Sequence, residues 1–103
     1  MGTVSGTSIS FGSPVVFESA ASDFISATYD SSANRVVIAY VDSGNSSYGT
    51  AVVGTVSGTS ISFGSPVVFE NAYSPYISAT YDSNANKVVI AYLDSGNSEY
   101  GTV

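Results

Sequence analysis

Tyr29-Asp30-Ser31-Ser32-Ala33-Asn34-Arg35-Val36-Val37-Ile38-Ala39-Tyr40 returns 52 positions later as Tyr81-Asp82-Ser83-Asn84-Ala85-Asn86-Lys87-Val88-Val89-Ile90-Ala91-Tyr92. Working outward, Gly2–Ala51 aligns with Gly54–Val103 at that offset, and 41 of the 50 pairs are identical. The nine differing pairs are Ser19/Asn71, Ala21/Tyr73, Asp23/Pro75, Phe24/Tyr76, Ser32/Asn84, Arg35/Lys87, Val41/Leu93, Ser47/Glu99 and Ala51/Val103. The chain is two near-copies of one unit, residues 1–53 and 54–103. In such an architecture one unit cannot bury its apolar surface without a neighbour.

Within a unit the periodicity is that of strands, and no segment carries a helical stripe. Ile25–Asp30 reads as a first strand, and Ser31–Asn34 as a turn rich in side chains that bond their own backbone. Arg35–Val41 is a second strand, a nearly continuous apolar run that implies burial on both faces. Asp42-Ser43-Gly44-Asn45 turns the chain into a third strand, Tyr48–Val56. Ser57-Gly58-Thr59 is a tight turn into a fourth, Ser60–Phe69, interrupted by Gly64-Ser65-Pro66. Proline donates nothing to a ladder, so this fourth strand belongs at a sheet edge. The fourth strand of the first unit is expected over Ser8–Phe17.

Four short antiparallel strands repeating every ~40–50 residues is the signature of a β-propeller blade. The expected fold is therefore all-β, a β-propeller with two four-stranded antiparallel blades per chain. The small residues Ser26 and Ala27 suit a first strand at a crowded central channel, and the proline-bearing strand suits the outer rim. A two-sheet sandwich of eight strands is the competing architecture, but it gives no reason for the near-identity of the halves. The run Tyr29–Tyr40, followed by Asp42, Asn45 and Tyr48-Gly49-Thr50, resembles repeats of highly repetitive propellers in bacterial and phage surface proteins. That resemblance implies a parent exposed outside the cell or on a virion, and it carries no shared catalytic residues. Thr28-Tyr29-Asp30-Ser31-Ser32 is similar to the Asp-box turn of sialidase-like propellers but lacks its glycine and closing aromatic, and no sialidase residue maps onto this chain.

Two blades leave an open face on each side, so the expected partner is the chain itself, in a closed cyclic homo-oligomer. Met1-Gly2-Thr3-Val4 begins in the later half of the third strand and Tyr100-Gly101-Thr102-Val103 stops in its first half. Laid tail to head, Val103 matches Ala51 and Met1 matches Val53, so one blade would be shared between two chains. Four chains and eight blades are the first expectation, three chains and six blades the second. The Met start without a leader suits a designed or reconstructed fragment.

Composition narrows the chemistry. Hydrophobic residues make up 44% and charged residues 10% of the 103, against a usual charged share of roughly 25%. That balance belongs to a chain that folds. A net charge of −6 with two basic residues excludes a nucleic-acid groove built on lysine and arginine. With no Cys and no His there is no thiol chemistry, disulfide, ordinary zinc site or histidine-based triad. No apolar run approaches the ~18 residues of a membrane helix, and no charged-then-apolar leader opens the chain.

Asp42-Ser43-Gly44-Asn45 and Asp94-Ser95-Gly96-Asn97 offer oxygen ligands but lack the EF-hand spacing and its closing Glu. Their expected role is to hold turns, as is that of Asp30 and Asp82. Nothing in the spacing of the eight acids pairs two of them for acid–base work. No enzyme, metal or cofactor is expected, and the first functional reading is a non-catalytic, self-assembling structural module. The alternative is a lectin-like propeller with glycan sites repeated on one face. Tyr73 and Tyr76, with Asp94 and Asn97, are the first candidates, and Asp42 and Asn45 hold the matching positions of the first unit. Aromatic faces and side-chain oxygens are what sugar stacking and hydroxyl bonding require. Five of the nine differences fall in or beside the connections on that face, as expected where loops carry recognition, although loops also drift freely.

Overall fold

The computed structural model describes residues 1–103 as ten strands and no helix, with every pairing antiparallel. The central sheet is a meander of β3 (Ser22–Asp30), β4 (Arg35–Asp42) and β5 (Tyr48–Ser57). Its next strand comes in two pieces, β6 (Ser60–Phe63) and β7 (Val67–Tyr73), and both pair with β5. Because β4 covers one edge of β5 from Tyr48 to Gly54, both pieces lie on the other edge. The break falls at Gly64-Ser65-Pro66, where Pro66 has no N–H to give the ladder. Gly58 turns β5 into β6 at φ +60°, a conformation open to glycine.

The same sequence read 52 residues earlier or later yields partial versions of that sheet. Before it stands the hairpin β1 (Gly2–Ser5) and β2 (Ser8–Phe11), in the register Gly2↔Phe11 to Ser5↔Ser8. This matches Gly54↔Phe63 to Ser57↔Ser60 in β5 and β6. After it stands β8 (Ser78–Asp82), β9 (Lys87–Asp94) and the short β10 (Tyr100–Thr102). Each layer packs on the next through repeated contacts. Phe17 meets Tyr40 at 5.1 Å between ring centroids and Phe63 at 6.0 Å, and Phe69 meets Tyr92 at 5.2 Å. The Tyr40 hydroxyl donates to Glu18 at 3.4 Å and the Tyr92 hydroxyl to Glu70 at 3.2 Å. Between β3 and β8 the Ala79 N–H donates to Ser26 Oγ at 3.0 Å.

Three expectations need correcting in detail. The first strand starts at Ser22 in β3 rather than at Ile25, and a register shift between Asp23 and Ser26 carries it past Phe24 and Ile25. The segment expected to continue the first unit's fourth strand to Phe17 is paired only over Ser8–Phe11. Val15 and Val16 match Val67 and Val68 of β7, but the stretch equivalent to their partner Tyr48–Ala51 is Tyr100–Val103, at the far end of the chain. Burial on both faces holds for Ala39–Asp42 of β4, while in β9 only Asp94 is buried.

The core is correspondingly small. Ala39, Tyr40, Val41 and Val52 are sealed, and Ile77 clusters with Ala39 and Val41. The chain exposes 6244 Å², whereas a compact monomer of 10.5 kDa exposes roughly 5,400 Å². Its radius of gyration is 14.6 Å where about 13 Å is usual. Exposed apolar side chains occur on every layer: Val4, Ile9, Phe11, Val15 and Val16 before the central sheet, Ile25, Val53, Val56, Val67 and Val68 on it, and Val89, Tyr100 and Val103 after it.

Candidate functional site

Turn chemistry at one end of the sheets builds the site. In Asp94–Asn97 the buried Asp94 carboxylate accepts the Gly96 N–H at 2.9 Å, and the Asn97 N–H donates to the Asp94 carbonyl at 3.1 Å. The Tyr100 N–H then donates to the Asn97 carbonyl at 3.1 Å, closing a turn whose central residues Ser98 and Glu99 both have positive φ (56° and 60°). This is the hairpin turn matched to strand twist, made here without glycine. Asp42, Gly44, Asn45 and Tyr48 repeat the same bonds. A Cβ on Gly96 would come within 2.8 Å of the Ala72 side chain, so the turn presses closely on the end of β7. The Ser95 N–H donates across that junction to the Tyr73 carbonyl at 3.2 Å.

The connection that follows β7 takes a left-handed bend. Phe24 and Tyr76, at matching positions, both adopt left-handed backbone (φ 50° and 59°), rare for bulky side chains; at Phe24 the register shift between Asp23 and Ser26 throws the ring out of the ladder. Pro75 replaces Asp23 and cannot donate, so β8 starts only at Ser78 where β3 starts at Ser22. Tyr76 is 71% exposed. Phe24 leans on it at 5.3 Å between centroids and on Tyr73 at 6.4 Å, with the rings inclined by 57° and 67°.

These pieces enclose a cleft of about 310 Å³ lined by Tyr73, Pro75, Tyr76, Leu93, Ser95 and Glu99. Of the residues singled out from sequence, Tyr73 and Tyr76 meet in the cleft. Asp94 and Asn97 do not line it: the Asp94 carboxylate is turned back onto its own turn, and the Asn97 backbone closes that turn. Asp42 and Asn45 serve the equivalent turn of the first unit, beside which no cleft opens. No group of three or more acidic side chains converges as a metal site would require. Sequence reading missed Pro75, Leu93, Ser95 and Glu99 as wall residues. Three of them were visible among the nine differences, and Ser95, identical to Ser43, gave no signal.

The perturbed ionisations lie elsewhere, at the layer contacts. Burial, then the charges of Glu18 and Asp42, push the Tyr40 hydroxyl up to about 12 from its usual 10.0. Tyr92 is raised by burial and by Glu70. Both phenols stay protonated at neutral pH and serve as donors to glutamate, a structural task.

Compared with known proteins, the chain matches no family model, no curated protein and no solved structure.

Proposed function

We propose that this chain is a non-catalytic, two-blade structural module that assembles with copies of itself into a closed β-propeller. The supporting observation is that its two incomplete layers have unpaired edges complementary to each other. In the central sheet, β5 receives β4 along one edge and β6 and β7 along the other. At the chain's end, β10 pairs with β9 only over Tyr100–Thr102, leaving Lys87–Ala91 without a neighbour on that side. At its beginning, β1 has a partner on one edge alone.

Shifting the central register by 52 residues gives the joint. Val88 of one copy faces Gly2 of the next, as Val36 faces Gly54. Thr102 faces Val16, and Gly101 faces Glu18, as Thr50 and Gly49 face Val68 and Glu70. Phe69 of one copy covers Phe11 of the next, as Phe17 covers Phe63. Each joint thus completes a four-stranded blade shared by two copies. The contact is heterologous, and such contacts end in a ring when the rotation closes. Four copies and eight blades is the expected ring, with three copies and six blades next.

Native mass spectrometry of the 103-residue chain reads the copy number directly. A single closed oligomer is expected, and a monomer at all concentrations overturns the reading.

A further inference from the structure

The two halves of this chain are nearly the same molecule, yet only one carries a cleft. Five of its six wall residues, Tyr73, Pro75, Tyr76, Leu93 and Glu99, stand at differing positions; their counterparts are Ala21, Asp23, Phe24, Val41 and Ser47. More than half of the nine differences therefore converge on one cavity. The backbone turns alike at the matching positions of both halves: Phe24 and Tyr76 share the left-handed conformation, and Ser46-Ser47 and Ser98-Glu99 share the same positive-φ turn. What changed is the side chains: a methyl became a phenol, an acid became a proline and a hydroxymethyl became a carboxylate. Drift under packing alone would leave such changes scattered over the loops.

We propose that this cleft binds a neutral sugar ring, one per chain. Tyr73 and Tyr76 offer partly exposed aromatic surface onto which the apolar face of a pyranose can stack. Phe24 of β3 packs against both rings, at 6.4 Å from Tyr73 and 5.3 Å from Tyr76 between centroids. The lining residues Tyr73, Tyr76, Ser95 and Glu99 carry hydroxyl and carboxylate groups, a mixture of donors and acceptors suited to sugar hydroxyls. About 310 Å³ lies at the lower end of the ~300–1,000 Å³ of small-molecule sites.

An anionic ligand is excluded by charge. The chain's two basic residues, Arg35 and Lys87, open β4 and β9, whereas the cleft lies at the other end of those strands, about 20 Å away at ~3.3 Å per residue. Glu99 would repel a phosphate or an acidic sugar. The site lies within one chain and does not depend on the assembly proposed above.

The test is a calorimetric and NMR titration of the 103-residue protein with glucose, galactose, mannose, N-acetylglucosamine and choline. Saturable binding of at least one neutral sugar is expected, with one site per chain and shifts at Ser95 and Glu99. Tyr76→Ala, a change at an exposed position, should weaken it about tenfold through lost stacking while leaving circular dichroism and oligomer mass unaltered. Installing the other four wall residues in the first half (Ala21→Tyr, Asp23→Pro, Val41→Leu, Ser47→Glu), with Phe24 kept as the aromatic ring of that half and the brace of the existing cleft, should raise the stoichiometry to two. Absence of binding by every sugar in the panel, binding of choline alone, or two sites per chain in the unaltered protein would each overturn the proposal.

Discussion

Phe11 and Phe63 occupy the same position in identical local sequence, and their fates differ. Phe63 packs against Phe17 at 6.0 Å, whereas Phe11 is 74% exposed. In the assembly proposed above, Phe69 of a neighbouring copy covers Phe11, and burying such a ring is worth about 2 kcal/mol. Phe11→Ala removes that gain at every joint and, within the isolated chain, only the ring's cover over Gly2 of the β1–β2 hairpin. Association should weaken about 30-fold per joint, a loss that multiplies around a closed ring. Phe63→Ala removes a contact inside the chain and should lower stability even where the oligomer is saturated. Sedimentation velocity over a concentration series, paired with thermal melts at the highest concentration, separates the two. The parent should give one oligomeric boundary, Phe11→Ala a mixture shifting toward monomer on dilution, and Phe63→Ala an oligomer with a lowered melting temperature. An unchanged association midpoint for Phe11→Ala would refute the joint, since the exposed ring would then face only solvent.

Other outcomes follow from the same contacts. Because open layers expose Val4, Phe11 and Val16, the melting temperature should fall over about a hundredfold dilution; a constant value would contradict assembly-linked stability. Tyr40 holds its proton up to about 12 in the folded chain against 10.0 unperturbed, and Tyr92 is raised in the same direction. The unfolded state therefore binds fewer protons above pH 10, and stability present in full below pH 10 is lost as the pH climbs toward 12. Tyr40→Phe should flatten that alkaline decline in denaturant titrations run across the range, and an equally steep decline would show that other groups carry it. Replacing Pro14 and Pro66 by valine restores two ladder donors beside apolar runs on the outer strand. The double variant should keep its circular dichroism and scatter more light as concentration rises, and a monodisperse double variant would confine those prolines to turn geometry.

Strand identity was legible wherever a segment's partners lie nearby in sequence. Arg35–Val41, read as a strand from its apolar run, is β4 extended by one residue to Asp42. The interruption at Gly64-Ser65-Pro66 separates β6 from β7 as turn chemistry requires. The bulge at Phe24 escaped notice because Ser22-Asp23 ahead of it shows no alternation to mark a strand. Tyr73 and Tyr76 stood out as aromatics appearing at differing positions, and they do meet in the cleft. Asp94 and Asn97 were drawn in by chemistry that their own turn already consumes, since a carboxylate accepting the Gly96 N–H at 2.9 Å has a structural task.

The most informative difference arises between segments that do not differ in sequence. Gly12-Ser13-Pro14-Val15-Val16-Phe17-Glu18 and Gly64-Ser65-Pro66-Val67-Val68-Phe69-Glu70 are identical, so intrinsic propensity is the same in both. Val67–Tyr73 is a strand, whereas the stretch from Gly12 through Ala21 has no ladder. Both segments nevertheless place phenylalanine and glutamate on the tyrosine of the following layer: Phe17 and Glu18 on Tyr40, Phe69 and Glu70 on Tyr92. Packing against the next layer is thus local and achieved in both copies, while backbone pairing waits on a strand that only one copy finds within the chain. Strand formation here is a property of the partner more than of the segment, as the context dependence of β-propensity implies. Supplying the missing stretch in trans should therefore convert Val15–Ala21 into strand without disturbing Phe17. A peptide spanning Asp94–Val103, added to isotope-labelled Phe11→Ala protein diluted until it is monomeric, should raise hydrogen-exchange protection at Val16 and Glu18 and leave the Phe17 ring shifts in place. Protection unchanged at saturating peptide would mean that the segment's unpaired conformation is intrinsic.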